Sequence, residues 1–153
     1  QSELLPFKSA IENGVPMIMA AHILCTELDE NYPASMSKNI ITDLLRDEMG
    51  FEGVVITDDL TMGAISESYS FGDAAVLSIN AGCDILSICF GEDNVKQAVK
   101  AIKEAVENGA ITEERIDESV RRILKLKEDY NVTSEGVEMP DIDELNSKTE
   151  KFQ

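Results

Sequence analysis

Gly53-Val54-Val55-Ile56-Thr57-Asp58-Asp59 is the stretch that decides the fold. Val54 to Thr57 are β-branched, and three of the four are apolar at consecutive positions. A strand with one wet face alternates polar and apolar. A continuous run instead marks a parallel strand buried on both sides. Two acids then end the run. Outward from this stretch the chain alternates. Upstream, Pro16 to Ala21 (Pro-Met-Ile-Met-Ala-Ala) reads as a short apolar strand ending at His22. Downstream, Asp84 to Phe90 reads as a third strand around Ser87.

Helical patterns fill the gaps. Glu3 to Asn13 carries Leu4, Phe7, Ala10 and Ile11 on one face and stops at Asn13-Gly14. A loop through Asn31, Pro33 and Ala34 leads to a helix over Ser37 to Met49, with Ser35 or Ser37 as cap and Gly50 as its end. A loop from Gly63 to Ser70 precedes a helix over Gly72 to Asn80, which Gly82 stops. Asp93 to Asn108 forms a long helix ended by Gly109. Thr112 to Tyr130 forms another, with Ile116, Val120, Ile123, Leu124 and Leu126 as its stripe. Thr133 to Gln153 is acidic and polar and reads as a surface tail, with a short helix at Asp141 to Asn146. Residues 1–132 are thus expected as the folded unit and 133–153 as the tail.

The order α-β-α-β-α-β-α-α implies parallel strands joined by right-handed crossovers. A doubly wound open sheet fits that repeat. So does a (β/α)8 barrel of which three strands are visible. Both gather chemistry at the C-terminal ends of the strands, where His22, Asp58-Asp59 and Phe90-Gly91-Glu92 lie.

Charge and composition exclude several classes. Thirty acidic residues against 13 basic ones give the 153-residue chain a net charge of −17. A nucleic-acid binder needs a basic footprint, and an anionic membrane repels this balance. No apolar run approaches the roughly 20 residues of a membrane span. Three cysteines make no disulfide framework and favour a reducing, cytoplasmic setting. The chain starts Gln1-Ser2-Glu3 without Met, so it is expected to be a fragment or to have lost a leader.

Side chains alternate along a strand. Val54, Ile56 and Asp58 therefore share one face, and Val55, Thr57 and Asp59 the other. The two carboxylates point apart and form no mutual acid/base pair. The plain alternative for either is an N-cap or a loop salt bridge.

The stretch Leu44-Leu45-Arg46-Asp47-Glu48-Met49-Gly50-Phe51-Glu52-Gly53-Val54-Val55-Ile56-Thr57-Asp58-Asp59-Leu60-Thr61-Met62 resembles the nucleophile signature of glycoside hydrolase family 3. Pro16 to His22 is similar to the family strand that ends in Ala-His. Ala81-Gly82-Cys83-Asp84 is similar to the approach to its last barrel strand. The resemblance runs over about residues 3–130.

It implies a partial (β/α)8 barrel, from helix five through helix eight, incomplete in this chain. It makes Asp58 the catalytic nucleophile, at the end of the seventh barrel strand. Asp58 would attack the anomeric carbon and form a covalent glycosyl-enzyme. A retaining enzyme needs its second catalytic group about 5–5.5 Å away, so that partner comes from elsewhere. Asp59 would face the helical shell. Asp59-Leu60-Thr61-Met62 is similar to the β-N-acetylhexosaminidase branch, which removes terminal β-linked N-acetylglucosamine from chitin- or peptidoglycan-derived oligosaccharides. Met62 then lines the sugar pocket or packs in the core. His22 orients the nucleophile, touches the sugar, or is a structural histidine at a strand end. The resemblance implies no metal and no organic cofactor. The branch's acid/base loop, and the first five strands, match nothing here. Hydrolysis and phosphorolysis stay open.

Three parallel strands cannot close a barrel. Edges at Met17 and Ile88 are expected to stay open, and the inward face at Val54 and Ile56 to lose its cover. That surface calls for a partner, either the missing N-terminal half of the barrel or a second copy. The isolated chain is expected to be inactive. Two other classes compete. A signalling module would use Asp58-Asp59 as phosphoacceptor or Mg²⁺ pair, but the receiver pattern needs more strands and a Lys that the Ile85 strand lacks. A non-catalytic carbohydrate-binding module is the other.

Overall fold

The computed structural model describes residues 3–133 and Ile142. The tail beyond 133, and the helix expected within it, otherwise lie outside the described residues. The three expected strands form one parallel sheet in the order β1-β2-β3: β1 over Met17–Ala20, β2 over Val54–Asp59 and β3 over Ile85–Ser87. The apolar run centred on Val55 is the middle strand, as its burial on both sides requires. Met17 pairs with Val54 and Ala20 with Thr57.

β2 ends two residues later than expected and contains both aspartates. β3 is shorter than the apolar run around it, for a local reason. The register between β2 and β3 shifts after Ile56. Beyond that point side chains replace the ladder. Thr57 Oγ1 accepts the Ser87 N–H at 3.0 Å, and Asp59 Oδ1 accepts the Cys89 N–H at 3.0 Å. Hydrophobic patterning carries no information about such substitutions.

Five α-helices are described: α1 over Leu5–Glu12, α2 over Gly63–Ser66, α3 over Phe71–Ala81, α4 over Glu92–Glu107 and α5 over Glu113–Asp129. A π-helix over Asn39–Glu48 stands where an α-helix was expected, and a 3₁₀ turn over Ala34–Met36 precedes it. Ser37 is the serine at the π-helix start, its hydroxyl accepting the Ile40 N–H at 3.2 Å. α2 is a short turn inside the expected Gly63–Ser70 loop. Ser70 caps α3 through the Asp73 N–H, and Thr112 caps α5 through the Arg115 N–H. Gly82 ends α3 at φ +115°, where a β-carbon would lie 2.8 Å from Thr42 Oγ1. Glycine meets both constraints there.

The helices cover one face of the sheet. Val55 and Ala20 pack with Ile41, Leu45, Phe51, Ala81 and Cys83. Met36, Leu60, Ile65 and Ala74 form a second cluster, and Ile79, Ala105 and Ile111 a third. Leu86 of β3 touches all three clusters. α1 contributes no fully buried residue, and Phe7, expected on its apolar face, is exposed.

The opposite face departs from expectation. Val54 is buried, not bare. α5 packs against β2, and its Arg122 and Leu126 line a cleft of about 380 Å³ with Val54 at the N-terminal ends of the strands. The opening is confined to the C-terminal half, where Ile56 is half-buried and its β1 neighbour Met19 is 58% exposed.

Asp84 fastens the closed end. Its side chain is fully buried. One oxygen accepts from Arg46 at 2.7 Å and from the Val55 N–H at 3.0 Å. The other accepts from Ser119 Oγ at 2.7 Å, Arg122 at 3.1 Å and Arg115 at 3.5 Å. The π-helix, α5 and β2 thus meet on one carboxylate. Burial pulls the Arg46 guanidinium below its ordinary range, and Asp84 opposes that pull.

Candidate active site

The C-terminal ends of β1 and β2 bring together His22, Asp58, Asp59 and Met62, with Ser35 and Cys89 beside them. The site follows from strand geometry. Asp58 lies on the Ile56 face by alternation, away from the helix-covered side. It is half-buried. One of its oxygens accepts the Asp59 N–H at 2.8 Å. The other accepts no hydrogen bond among the described residues.

Asp59 is its opposite. Its carboxylate accepts the Thr61 hydroxyl at 2.5 Å, the Thr61 N–H at 3.0 Å and the Cys89 N–H at 3.0 Å. The Thr61 hydroxyl above all pulls its pKa down to about 2; partial burial opposes it, and the two N–H groups add to it. Asp59 is therefore ionised, saturated and tied to the loop. The loop-organising alternative describes Asp59 and not Asp58.

His22 follows β1 closely and has both ring nitrogens engaged. Nδ1 lies 2.7 Å from Ser35 Oγ, and Nε2 lies 3.0 Å from the Asp59 carbonyl oxygen. A carbonyl only accepts, so Nε2 carries a proton, and Nδ1 faces a serine hydroxyl that can donate to it. Met62 donates its N–H to the same carbonyl at 3.0 Å. Its side chain is 45% exposed and does not pack in the core. Phe90, just beyond β3, is 74% exposed, and Gly91 at φ +82° turns the chain into α4.

Ser35, Thr61 and Cys89 escaped the sequence reading. Ser35 showed only as a possible helix cap. The Thr61 contact had a local signal, an Asp followed two residues later by Thr. The Ser35 and Cys89 contacts had none, because their partners lie 13 and 30 residues away. No three His, Cys, Asp or Glu side chains among the described residues cluster as a metal-ligand set.

The family model for the glycosyl hydrolase family 3 N terminal domain matches residues 1–126. The chain belongs to that family. It is 36% identical over 145 residues to beta-hexosaminidase A of Pseudoalteromonas piscicida, covering 83% of this chain and 24% of that protein. It is 31% identical over 131 residues to a beta-hexosaminidase of Nitrosomonas eutropha, covering 84% of this chain and 37% of that one. Its fold matches the structure of a glycoside hydrolase family 3 beta-N-acetylglucosaminidase from Paenibacillus sp. str. FPU-7, with TM-score 0.87 and 42% identity. That match covers 92% of this chain and 27% of the Paenibacillus chain. The chain spans about a quarter to a third of the length of these relatives.

Proposed function

We propose that this chain is the nucleophile-bearing part of a retaining β-N-acetylglucosaminidase, and that strands outside these residues complete its (β/α)8 barrel. The observation that carries the reading is the contrast at the end of β2. Asp59 is saturated by Thr61 and Cys89, whereas Asp58 keeps one oxygen without a hydrogen bond among the described residues, at the open C-terminal half of its face. Family membership and the beta-hexosaminidase relatives support the substrate class.

The chemistry is a double displacement. Asp58 attacks the anomeric carbon; the C1–O bond breaks as the Asp58 Oδ–C1 bond forms. The leaving oxygen takes a proton from an acid supplied outside this chain. A second acceptor, water for a hydrolase, then gives its proton to that group, now a base, and attacks C1; the C1–Oδ bond breaks and frees the Asp58 carboxylate. Asp58 attacks as the carboxylate, and the Asp59 N–H holds one of its oxygens in place. Met62 borders the sugar.

The completing strands dock at the free edge of β1. There Phe7, Ile18, Met19, Ile23, Leu28 and Leu44 line an apolar groove of about 260 Å³. The same groove makes the isolated chain self-associate. Size-exclusion chromatography of the 153-residue chain checks this, and a clean monomer counts against it.

In the completed enzyme, Asp58→Asn is expected to abolish turnover of an aryl β-N-acetylglucosaminide. Mass spectrometry after treatment with a 2-fluoro glycoside should place the adduct on the Asp58 peptide. Retained full activity, or an adduct elsewhere, discards the assignment. Glycosyl phosphate as product would change the acceptor and keep the nucleophile. The isolated chain should show no turnover.

A further inference from the structure

Three hydrogen bonds fix the backbone of the residue after Asp58. The Asp59 N–H donates to Asp58 Oδ1 at 2.8 Å. The Asp59 carbonyl accepts His22 Nε2 at 3.0 Å and the Met62 N–H at 3.0 Å. The His22 bond reaches across 37 residues and is the one that ties the end of β1 to the end of β2.

The histidine is itself held by an anchored group. Ser35 is completely buried. Its N–H donates to the Ala21 carbonyl at 3.2 Å, and its carbonyl accepts the Cys83 thiol at 3.4 Å. The loop that carries it is organised by Asp29, which accepts the Asn31 N–H at 2.9 Å, the Tyr32 N–H at 3.1 Å and the Ser37 hydroxyl at 2.6 Å. Ser35 has little freedom to move, so neither has the ring.

The geometry points to His22 as a positioning residue for Asp58: Ser35 Oγ, donating to Nδ1, orients the ring with its Nε2–H toward the Asp59 carbonyl, and the ring fixes that carbonyl. This rests on the reading of Asp58 as the nucleophile. The choice of serine has a physical consequence. A carboxylate partner orients a histidine but also favours the imidazolium form. A hydroxyl orients the ring without adding charge. His22 acts through the peptide and leaves no ring nitrogen for a sugar hydroxyl.

The test has two arms. In the completed enzyme, His22→Ala should lower kcat by about 10- to 100-fold while KM changes by less than about 3-fold, the signature of a displaced reacting group. His22→Gln should recover most of that loss, since its amide N–H can reach the same carbonyl. Ser35→Ala should lie between them. A rise in KM with kcat retained would make His22 a sugar contact and overturn the inference. So would full activity of His22→Ala beside a dead Asp58→Asn, which leaves the nucleophile intact as a reading. An active Asp58→Asn sinks the nucleophile itself and is distinguishable from both.

The second arm needs no activity and no stable His22→Ala protein. Imidazole ¹⁵N NMR of the 153-residue chain at neutral pH should show Nε2 protonated and Nδ1 bare. Ser35→Ala should move the Nδ1 resonance. A Nδ1–H tautomer, an imidazolium, or no response to Ser35→Ala overturns the proposal.

Discussion

The two ends of the sheet use carboxylates in opposite ways. At the N-terminal end Asp84 is fully buried and takes bonds from three arginines, a serine and the Val55 N–H. At the C-terminal end Asp58 is half-buried and takes one bond, from its neighbour. The first end joins elements and has nothing left to offer a ligand. The second keeps an oxygen without a hydrogen bond among the described residues, where its face is open. In parallel α/β folds stability and chemistry separate in this manner, because the helix and loop geometry leaves the C-terminal strand ends open.

The comparison can be broken most decisively at Asp58. Asp58→Asn should cost the completed enzyme at least about 10,000-fold in kcat, since the covalent step is lost. The same change should move unfolding free energy by less than about 0.5 kcal/mol, because it disturbs no saturated network. Turnover assays and urea titration of one preparation check both halves. Asp84→Ala should do the reverse. It strands three arginines around an empty site, and urea titration should show a loss of about 3–5 kcal/mol.

Asp59 sharpens the comparison, since it sits at the open end yet is tied down like Asp84. Its folded pKa, about 2, lies below its ordinary 3.8. Its contribution to stability is therefore present above about pH 4 and lost as pH falls toward 2. Acid unfolding followed by circular dichroism should show this, and Asp59→Asn should flatten that part of the profile. The smallest effect concerns the thiols. Burial pushes the Cys83 thiol up to about 12, whereas Cys89 is exposed at the open end. A maleimide at neutral pH should label Cys89 in the native chain and leave Cys83 untouched until it unfolds.

Much of this was legible in the residues. The unbroken apolar run ahead of Asp58 gave the central parallel strand, because a strand covered on both faces has no polar alternation to show. Thr112 and Gly82 marked helix ends through local hydrogen bonding and local backbone sterics, which act within a few residues. The divergence of Asp58 and Asp59 followed from the two-residue period of a strand. The cover over Val54 was not legible: helix α5, some 60 residues on, packs against β2 and closes that end. Nor was the shortening of β3, where a threonine hydroxyl and an aspartate carboxylate stand in for backbone acceptors.

By itself the sequence determined the alternation of elements, the central strand, the family and the acid at the strand's end. Local physics sets these: side-chain shape, period and capping all operate over a few residues. Only the tertiary structure decided which acid is spent and which is free. Beyond the local Thr61, the partners that settle it approach from 30 to 38 residues away, Cys89 onto Asp59 and Arg46 and Arg122 onto Asp84. Hydrogen bonds and ion pairs of that span exist only once the chain has folded back on itself, and nothing in the composition of either neighbourhood announces them.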